Sequence, residues 1–188
     1  EEYPNVEVSM REGNQAELLT MLARAEIDIA IAYDLDIPAS YDFKGLIDLP
    51  PQLILAADDP FADKGDIAIE DLVDEPMVLL DLPLSSTYFL SLFHERGLRP
   101  YIAERVSNLS SLRSLVANGF GYGLLNISTK TNLAPDGQKL VFRQLVGEHR
   151  PMVFGLMRMK SDYSSRIVAA FAEHVSRRVA ESGLPGMS

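Results

Sequence analysis

The chain has 188 residues, of which 47% are hydrophobic and 23% charged, enough for one large domain or two small lobes. Its net charge of −10 argues against direct DNA binding, because an acidic surface repels the phosphate backbone. The lack of cysteine excludes disulfides, thiolate metal sites and cysteine nucleophiles from these residues.

The first part of the chain predicts two strands with a helix between them. Residues 6–10 alternate apolar and polar side chains, which is typical of a half-buried strand. Asn14 and Glu17 have the spacing of a capping box, so a helix is expected to begin there and to run to Ala25. The apolar run 27–32 predicts the next strand. Strand, helix and strand at this spacing favour a βαβ unit with parallel strands.

Two prolines separate this unit from the elements that follow. Short strands are expected at 41–49 and 53–57, on either side of Pro50 and Pro51. Adjacent prolines prevent regular structure locally and indicate a joint in the fold. A loop and a single helical turn near 69–72 come next.

A second βαβ pattern begins with a strand at 77–80. Ser85 or Ser86 is expected to cap the helix that follows, and Gly97 to end it in the left-handed conformation. Residues 101–106 form the expected parallel strand. The remaining predicted elements are a helix from Asn108 or Ser110 through Ala117, strands at 122–125, 141–145 and 152–159, and a closing helix near 164–180.

A series of short segments along nearly the whole chain carries a family resemblance. The most distinctive is Leu115-Val116-Ala117-Asn118-Gly119-Phe120-Gly121-Tyr122-Gly123-Leu124-Leu125. The others are Tyr3-Pro4-Asn5-Val6-Glu7-Val8, Arg11-Glu12-Gly13-Asn14, Leu18-Leu19, 26–31, Asp59-Pro60-Phe61-Ala62, 70–72, 75–80, Gly97-Leu98-Arg99-Pro100 and the segment from Asn108 onward. In order and spacing the series resembles the effector-binding domain of LysR-type bacterial transcriptional regulators.

This resemblance implies an α/β fold of the type 2 periplasmic-binding-protein-like class, in which two Rossmann-like lobes are joined by two crossing strands. We expect lobe I to comprise residues 1–52 and 153–188, and lobe II residues 53–152. Effector binding in the cleft between the lobes is expected to shift the population of hinge conformations. The expected hinge residues are Pro51, Leu53 and Val153.

The chain departs from the family pattern at its start. Family members carry an N-terminal winged helix-turn-helix and a linker helix, and a strand and a helix precede their Tyr-Pro-Asn segment. These elements are missing from the sequence, so lobe I is expected to be incomplete. DNA binding is expected only through the missing N-terminal domain, and the domain itself is expected to form a homodimer or homotetramer.

Candidate ligand-binding residues lie mainly at polar helix starts. Free N–H groups and the positive end of the helix dipole at such starts suit a carboxylate, so the expected effector is a small organic anion. The resemblance places these residues at the cleft. They are Gly13, Asn14, Tyr33, Ser85, Ser86, Asn108, Leu109 and Phe154. The alternative is a structural role: helix capping for the polar residues, a half-buried sheet edge for Tyr33 and hinge packing for Phe154.

Other functional classes have weaker support in the sequence. The acidic pairs Asp34 with Asp36, Asp58 with Asp59 and Glu70 with Asp71 are interpreted as solvated charges, and no Gly-x-Ser-x-Gly elbow appears, so no catalytic residue is expected. Scattered histidines predict no metal site, and no cofactor is expected. No apolar run reaches the ~18–20 residues of a membrane span, and residues 1–4 do not resemble a signal peptide. We therefore expect a cytoplasmic protein that does not contact membranes, the alternative being a solute-binding protein for transport or chemoreception.

Overall fold

The computed structural model describes residues 6–127, 131–161 and 165–184. The chain divides into two compact units, Glu1–Asp48 with Val153–Pro185, and Leu49–Met152. In chain order the elements are α1 (Gln15–Ala23), β1 (Ala30–Tyr33), β2 (Tyr41–Leu49), β3 (Gln52–Ala56), a 3-10 turn (Ile69–Leu72), β4 (Met77–Leu80), α2 (Ser85–His94), β5 (Ile102–Val106), α3 (Leu109–Ala117), β6 (Gly123–Leu125), β7 (Leu140–Gln144), β8 (Met152–Met159) and α4 (Arg166–Ser182). Ser164, within the predicted closing helix, lies outside the described residues.

The first unit contains a three-stranded sheet in the order β1-β8-β2. β1 and β8 are antiparallel, with Ala30 opposite Met157 and Tyr33 opposite Phe154. The small side chains of Ala30 and Ala32 let Leu22 of α1 pack close to this sheet, and with Met157 they form its buried core. The core therefore fixes α1 against the strands that carry two of the candidate ligand-binding residues.

Two predictions for this unit are wrong. Residues 6–10 form no strand: Val8 is 74% and Met10 80% exposed, and the described residues provide no strand to pair with them. An alternating pattern specifies the two faces of a strand, but backbone pairing also needs a neighbour. The parallel βαβ unit is likewise absent among the described residues, because β1 pairs antiparallel with β8.

β8 passes close to β2 at a glycine. A Cβ atom added at Gly155 would overlap the carbonyl of Lys44 and the ring of Phe43. Only a residue without a side chain allows the two backbones to approach this closely. Gly155 therefore fixes how β8 fits into the middle of the sheet.

The second unit contains the predicted βαβ pattern. β4 and β5 are parallel and are connected by α2, which confirms this part of the prediction. A second, antiparallel sheet has the order β6-β3-β7. Single bridge contacts such as that between Met77 and Tyr122 link β4 to the segment that leads into β6. The core of the unit is formed by Ile54, Val78, Leu112, Val116, Leu125, Ala134 and Leu140.

Glycines end or bend the chain at two places in this unit. Gly97 has a φ of 71° after α2, as expected for a residue that ends a helix in the left-handed region. Gly121 has a φ of 138°, and a Cβ there would overlap the carbonyl of Pro76. The backbone N–H of Tyr122 donates to that carbonyl at 2.9 Å, so glycine permits the contact that joins β4 to this segment.

In the described part of the chain, no helix is long and apolar enough to cross a membrane.

Candidate functional site

The start of α1 is closed by a reciprocal cap. The side chain of Asn14 accepts a hydrogen bond from Glu17 N at 3.1 Å, and Asn14 N donates to Glu17 Oε2 at 2.7 Å. The predicted capping box is therefore confirmed. Gly13 lies directly before this cap, so both candidate residues are placed at the end of α1 where free N–H groups emerge.

A buried glutamine connects this helix start to β1. Gln15 Nε2 donates to the carbonyls of Tyr33 at 2.8 Å and Leu35 at 3.3 Å, and Gln15 Oε1 accepts from Tyr33 N at 3.4 Å. The end of β1 is therefore held at the first turn of α1. The sequence analysis did not identify Gln15. Its only local signal is that it is a polar residue on a helix that must bury one of its faces.

Tyr33 lies next to two other candidate residues. Its ring meets that of Phe154 edge-on, with centroids 5.8 Å apart, and burial raises the pKa of Tyr33. Asp34 N donates to Val153 O at 3.0 Å, and Asp34 Oδ1 accepts from Val153 N at 2.7 Å. The interpretation of Asp34 as a solvated charge is thus wrong, since this half-buried carboxylate holds the first residues of β8 beside the end of β1.

The second unit places its candidate residues at one edge of the β4–β5 pair. The strands are parallel, so both carboxyl ends lie at the same edge, and Asp81 N donates to Val106 O at 2.8 Å there. α2 follows β4 and α3 follows β5. The starts of both helices, with Ser85 and Ser86 on one and Asn108 and Leu109 on the other, therefore lie at this edge.

The two helices begin in different ways. Asn108 caps α3, accepting from Ser111 N at 2.8 Å, as predicted. The prediction that Ser85 or Ser86 caps α2 is wrong: the capping position is Leu84, with a φ of 69° and no side-chain cap. Both serines are already helical because the left-handed turn at Leu84 lets the chain enter the helix earlier than the capping rule expects.

Ser86 lies beside a charged pair near the start of α2. Its hydroxyl donates to Leu82 O at 3.1 Å. Arg105 donates to Asp81 Oδ2 at 3.0 Å. The hydrogen bond from Arg105 holds the pKa of Asp81 below its usual value, so this carboxylate is ionised at neutral pH.

The starts of α2 and α3 share an electrostatic property. Neither helix has an acidic residue in its first turn. Their free N–H groups and positive dipole ends are therefore not neutralised from within the helix, which favours an anionic ligand. Among the described residues, no group of three or more His, Cys, Asp or Glu side chains has the arrangement of a metal site.

The structure thus groups the candidate residues into two sets. The first unit brings together Gly13, Asn14, Tyr33 and Phe154, and the second unit Ser85, Ser86, Asn108 and Leu109. Their contact with a ligand stays a prediction. Comparison with known proteins identifies the kind of domain that carries them.

A family model described as the LysR substrate binding domain matches residues 1–180. The chain belongs to this family. The C-terminal domain of a probable LysR family transcriptional regulator from Rhodococcus sp. RHA1 has a similar structure, with a TM-score of 0.87 at 30% identity over 93% of this chain and 86% of that one. HinK, a LysR family regulator from Pseudomonas aeruginosa, gives a TM-score of 0.88 at 30% identity over 95% of this chain and 62% of its own.

Curated relatives of the LysR-family domain are longer proteins. The regulator BsdA of Bacillus subtilis is 29% identical over 132 residues, which are 68% of this chain and 45% of BsdA. The regulator CysB of Haemophilus influenzae is 24% identical over 95% of this chain and 56% of its own length. The chain therefore spans about half the length of the curated relatives it matches. These relatives are named as transcriptional regulators.

The comparisons confirm two predictions from the sequence. The fold is of the type 2 periplasmic-binding-protein-like class, as in LysR substrate-binding domains, and the chain is a LysR-type effector-binding domain. The distinctive segment from Leu115 to Leu125 supplies the end of α3, the glycine contact with Pro76 and the buried strand β6. Its resemblance to the family therefore has a structural basis in the second unit.

Proposed function

We propose that this chain is the sensing domain of a LysR-type transcriptional regulator and that its effector is a small organic anion. The observation that carries the proposal is the pair of helix starts at the carboxyl edge of β4 and β5, which have no acidic residue in their first turns. The effector contacts the residues Gly13, Asn14, Tyr33, Ser85, Ser86, Asn108, Leu109 and Phe154. No chemical step and no cofactor are needed.

The response is a shift between conformations of two lobes. Lobe I is assigned to residues 1–52 and 153–188 and lobe II to 53–152, and the effector biases their arrangement by its different affinity for each state. The rotation is absorbed at the hinge residues Pro51, Leu53 and Val153. This assignment is supported by the division of the chain into compact units, which falls close to these residues.

The whole regulator acts as a cytoplasmic homodimer or homotetramer and contacts DNA through an N-terminal domain. The relatives support the DNA-contacting domain, because they are named as HTH-type transcriptional regulators and are about twice as long as the region they share with this chain. The net charge of −10 is consistent with a domain that leaves DNA contacts to another part of the protein.

Two distant structural neighbours suggest probes for the effector site. The BenM effector-binding domain was solved with its effector benzoate, and that of QuiR with shikimate. Both ligands are carboxylates of a similar size. Benzoate and shikimate are therefore the first members of a carboxylate panel for this chain, with benzamide as a neutral ligand of nearly the same shape as benzoate.

The first experiment is isothermal titration of this chain with the carboxylate panel and with benzamide. At least one carboxylate is expected to bind, and its uncharged analogue to bind more weakly by tenfold or more. If no carboxylate binds, or if acid and amide bind equally, the proposal of an anionic effector fails.

Matched variants test the location of the site. Asn108 caps the first turn of α3, and Asn118 lies at the other end of the same helix, where it bonds to Ser114 O. Asn108→Ala is expected to weaken carboxylate binding about tenfold, whereas Asn118→Ala leaves the dissociation constant unchanged. Ser86→Ala and Ser91→Ala form the corresponding pair on α2. Equal effects of both members of a pair would remove that helix start from the site.

A further inference from the structure

Two polar side chains form a buried contact within the second unit. Asn126, directly after β6, is 7% exposed, and Tyr88, in the first turn of α2, is 5% exposed. Asn126 Nδ2 donates to the carbonyl of Leu49 at 2.7 Å and to the Tyr88 hydroxyl at 3.2 Å. The Tyr88 hydroxyl in turn donates to the carbonyl of Arg150 at 2.7 Å. A continuous series of hydrogen bonds thus connects Leu49, through both side chains, to Arg150.

The direction of these hydrogen bonds is fixed by their partners. A backbone carbonyl can only accept, so the amide nitrogen of Asn126 must face Leu49. The Asn126 oxygen is buried and has no hydrogen-bond partner among the residues that the structure describes. Asn126 therefore acts in this contact only as a donor, and replacing its amide by a carboxylate of the same shape removes both donated bonds and offers the Tyr88 hydroxyl an acceptor that competes with the carbonyl of Arg150.

The two accepting carbonyls have the same chemical setting. Leu49 precedes Pro50, and Arg150 precedes Pro151. Proline has no N–H to donate, and it restricts the residue before it, so these segments are stiff and are most directly held through their carbonyls. They are also the places where the chain passes between the two compact units.

We propose that Asn126 and Tyr88 are positioning residues that couple the start of α2 to both chain segments connecting the units. Tyr88 lies one helical turn after Ser85, so a ligand held at the start of α2 displaces the same turn that holds Arg150 and, through Asn126, Leu49. The link to the effector rests on the proposed function. The coupling itself is a property of the unliganded chain.

Hydrogen–deuterium exchange of the unliganded chain tests the coupling directly. Asn126→Asp is expected to speed exchange about tenfold in peptides covering residues 46–54 and also in those covering 148–154. Asn126 does not bond to Arg150, so the second effect requires transmission through Tyr88. Acceleration confined to 46–54 would overturn the proposal, because the contacts would then act as independent bonds.

Tyr88→Phe provides the converse variant, which retains the buried ring and introduces no charge. It removes the bond to Arg150 directly, and it is expected to accelerate exchange at 46–54 as well. If only 148–154 responds, the coupling is refuted. This variant also decides the question if Asn126→Asp does not fold.

Tyr122→Phe is the matched control. It too removes a buried tyrosine hydroxyl in the second unit, one that donates to Leu72 O at 3.2 Å. Exchange at 46–54 and 148–154 is expected to be unchanged in this variant. If it responds like Tyr88→Phe, the acceleration reflects general loosening and the proposal fails. Because no ligand is used, failure here is distinct from failure of the carboxylate titrations.

Discussion

The side chain of Gln15 hydrogen-bonds to both the N–H and the carbonyl of Tyr33, as the backbone of a neighbouring strand would. In this way a helix residue takes the place of a pairing partner at the end of β1. The amide satisfies backbone groups that would otherwise be buried without partners. The position of Tyr33, a candidate ligand contact, therefore depends on the first residue of α1.

Gln15→Ala is expected to lower the free energy of unfolding by about 1–3 kcal/mol, because it leaves buried backbone groups of Tyr33 and Leu35 unpaired. The measurement is urea unfolding followed by circular dichroism. Thr20→Ala on the same helix is the control, since the Thr20 hydroxyl is exposed and, within the described part of the chain, bonds only to Ala16 O, and a change within about 0.5 kcal/mol is expected. Equal costs for the two variants would contradict this role of Gln15.

Gly155→Ala is expected to destabilise the chain by about 1–3 kcal/mol, because the added methyl group overlaps the backbone of β2 and the strands must separate. Gly65→Ala is the matched control, as a Cβ there meets nothing within 4 Å. That variant is expected to be neutral or slightly stabilising. Thermal unfolding of both variants measures the difference, and a Gly155→Ala protein as stable as the parent would show that the strands can yield.

Asp81→Asn is expected to strengthen carboxylate binding about two- to fivefold, because it removes a negative charge beside the start of α2 and releases Arg105. The gain is expected to shrink as salt is raised, since exposed charges are screened. Asp136→Asn is the control: its carboxylate accepts from Asn118 at the far end of α3. Titration calorimetry at two ionic strengths gives both comparisons, and a gain that is the same at both would point away from electrostatics.

The lowered pKa of Asp71 predicts a small loss of stability in acid. Hydrogen bonds from Lys64 Nζ at 2.9 Å and then from Ala68 N at 3.1 Å lower the pKa of this carboxyl from its ordinary value of 3.8. A lowered pKa in the folded state adds stability that is present above 3.8 and is lost as the pH falls through the folded value.

Asp71→Asn is therefore expected to lower the melting temperature slightly at pH 7 and to have a diminishing effect below pH 3.8. Melting curves of the variant and the parent between pH 7 and pH 2 measure this. The side chains are exposed, so the change is small. A difference in melting temperature that grows on acidification would have the wrong sign for this mechanism.

Local sequence patterns predicted the second unit better than the first. The strands of the β4-α2-β5 unit, the end of α2 at Gly97 and the cap at Asn108 each depend on neighbours within a few residues, so spacing alone was informative. The strand expected at 6–10 failed because a pairing partner cannot be read from alternation. The serine cap of α2 failed because Leu84 adopts a left-handed conformation that its residue type does not suggest.

The polar residues that the sequence analysis missed depend on contacts that are distant in sequence. Gln15 bonds to Tyr33 across 18 positions, and Asn126 bonds to Leu49 across 77. Neither pair has a periodic or capping signal, because the contact exists only after the helices and strands have packed. The sequence predicted the approximate helix starts and identified the family. The polar contacts that hold the helix starts in position could be seen only in the structure.

The place of β8 in the middle of the first sheet also has a consequence for synthesis on the ribosome. β1 and β2 are both made early, but the strand that lies between them is Met152–Met159. Residues Leu49–Met152 are continuous and can fold as soon as they emerge, while the earlier strands wait for their common neighbour. The nascent chain therefore completes its second unit first, and the first unit is the part that depends longest on protection from aggregation.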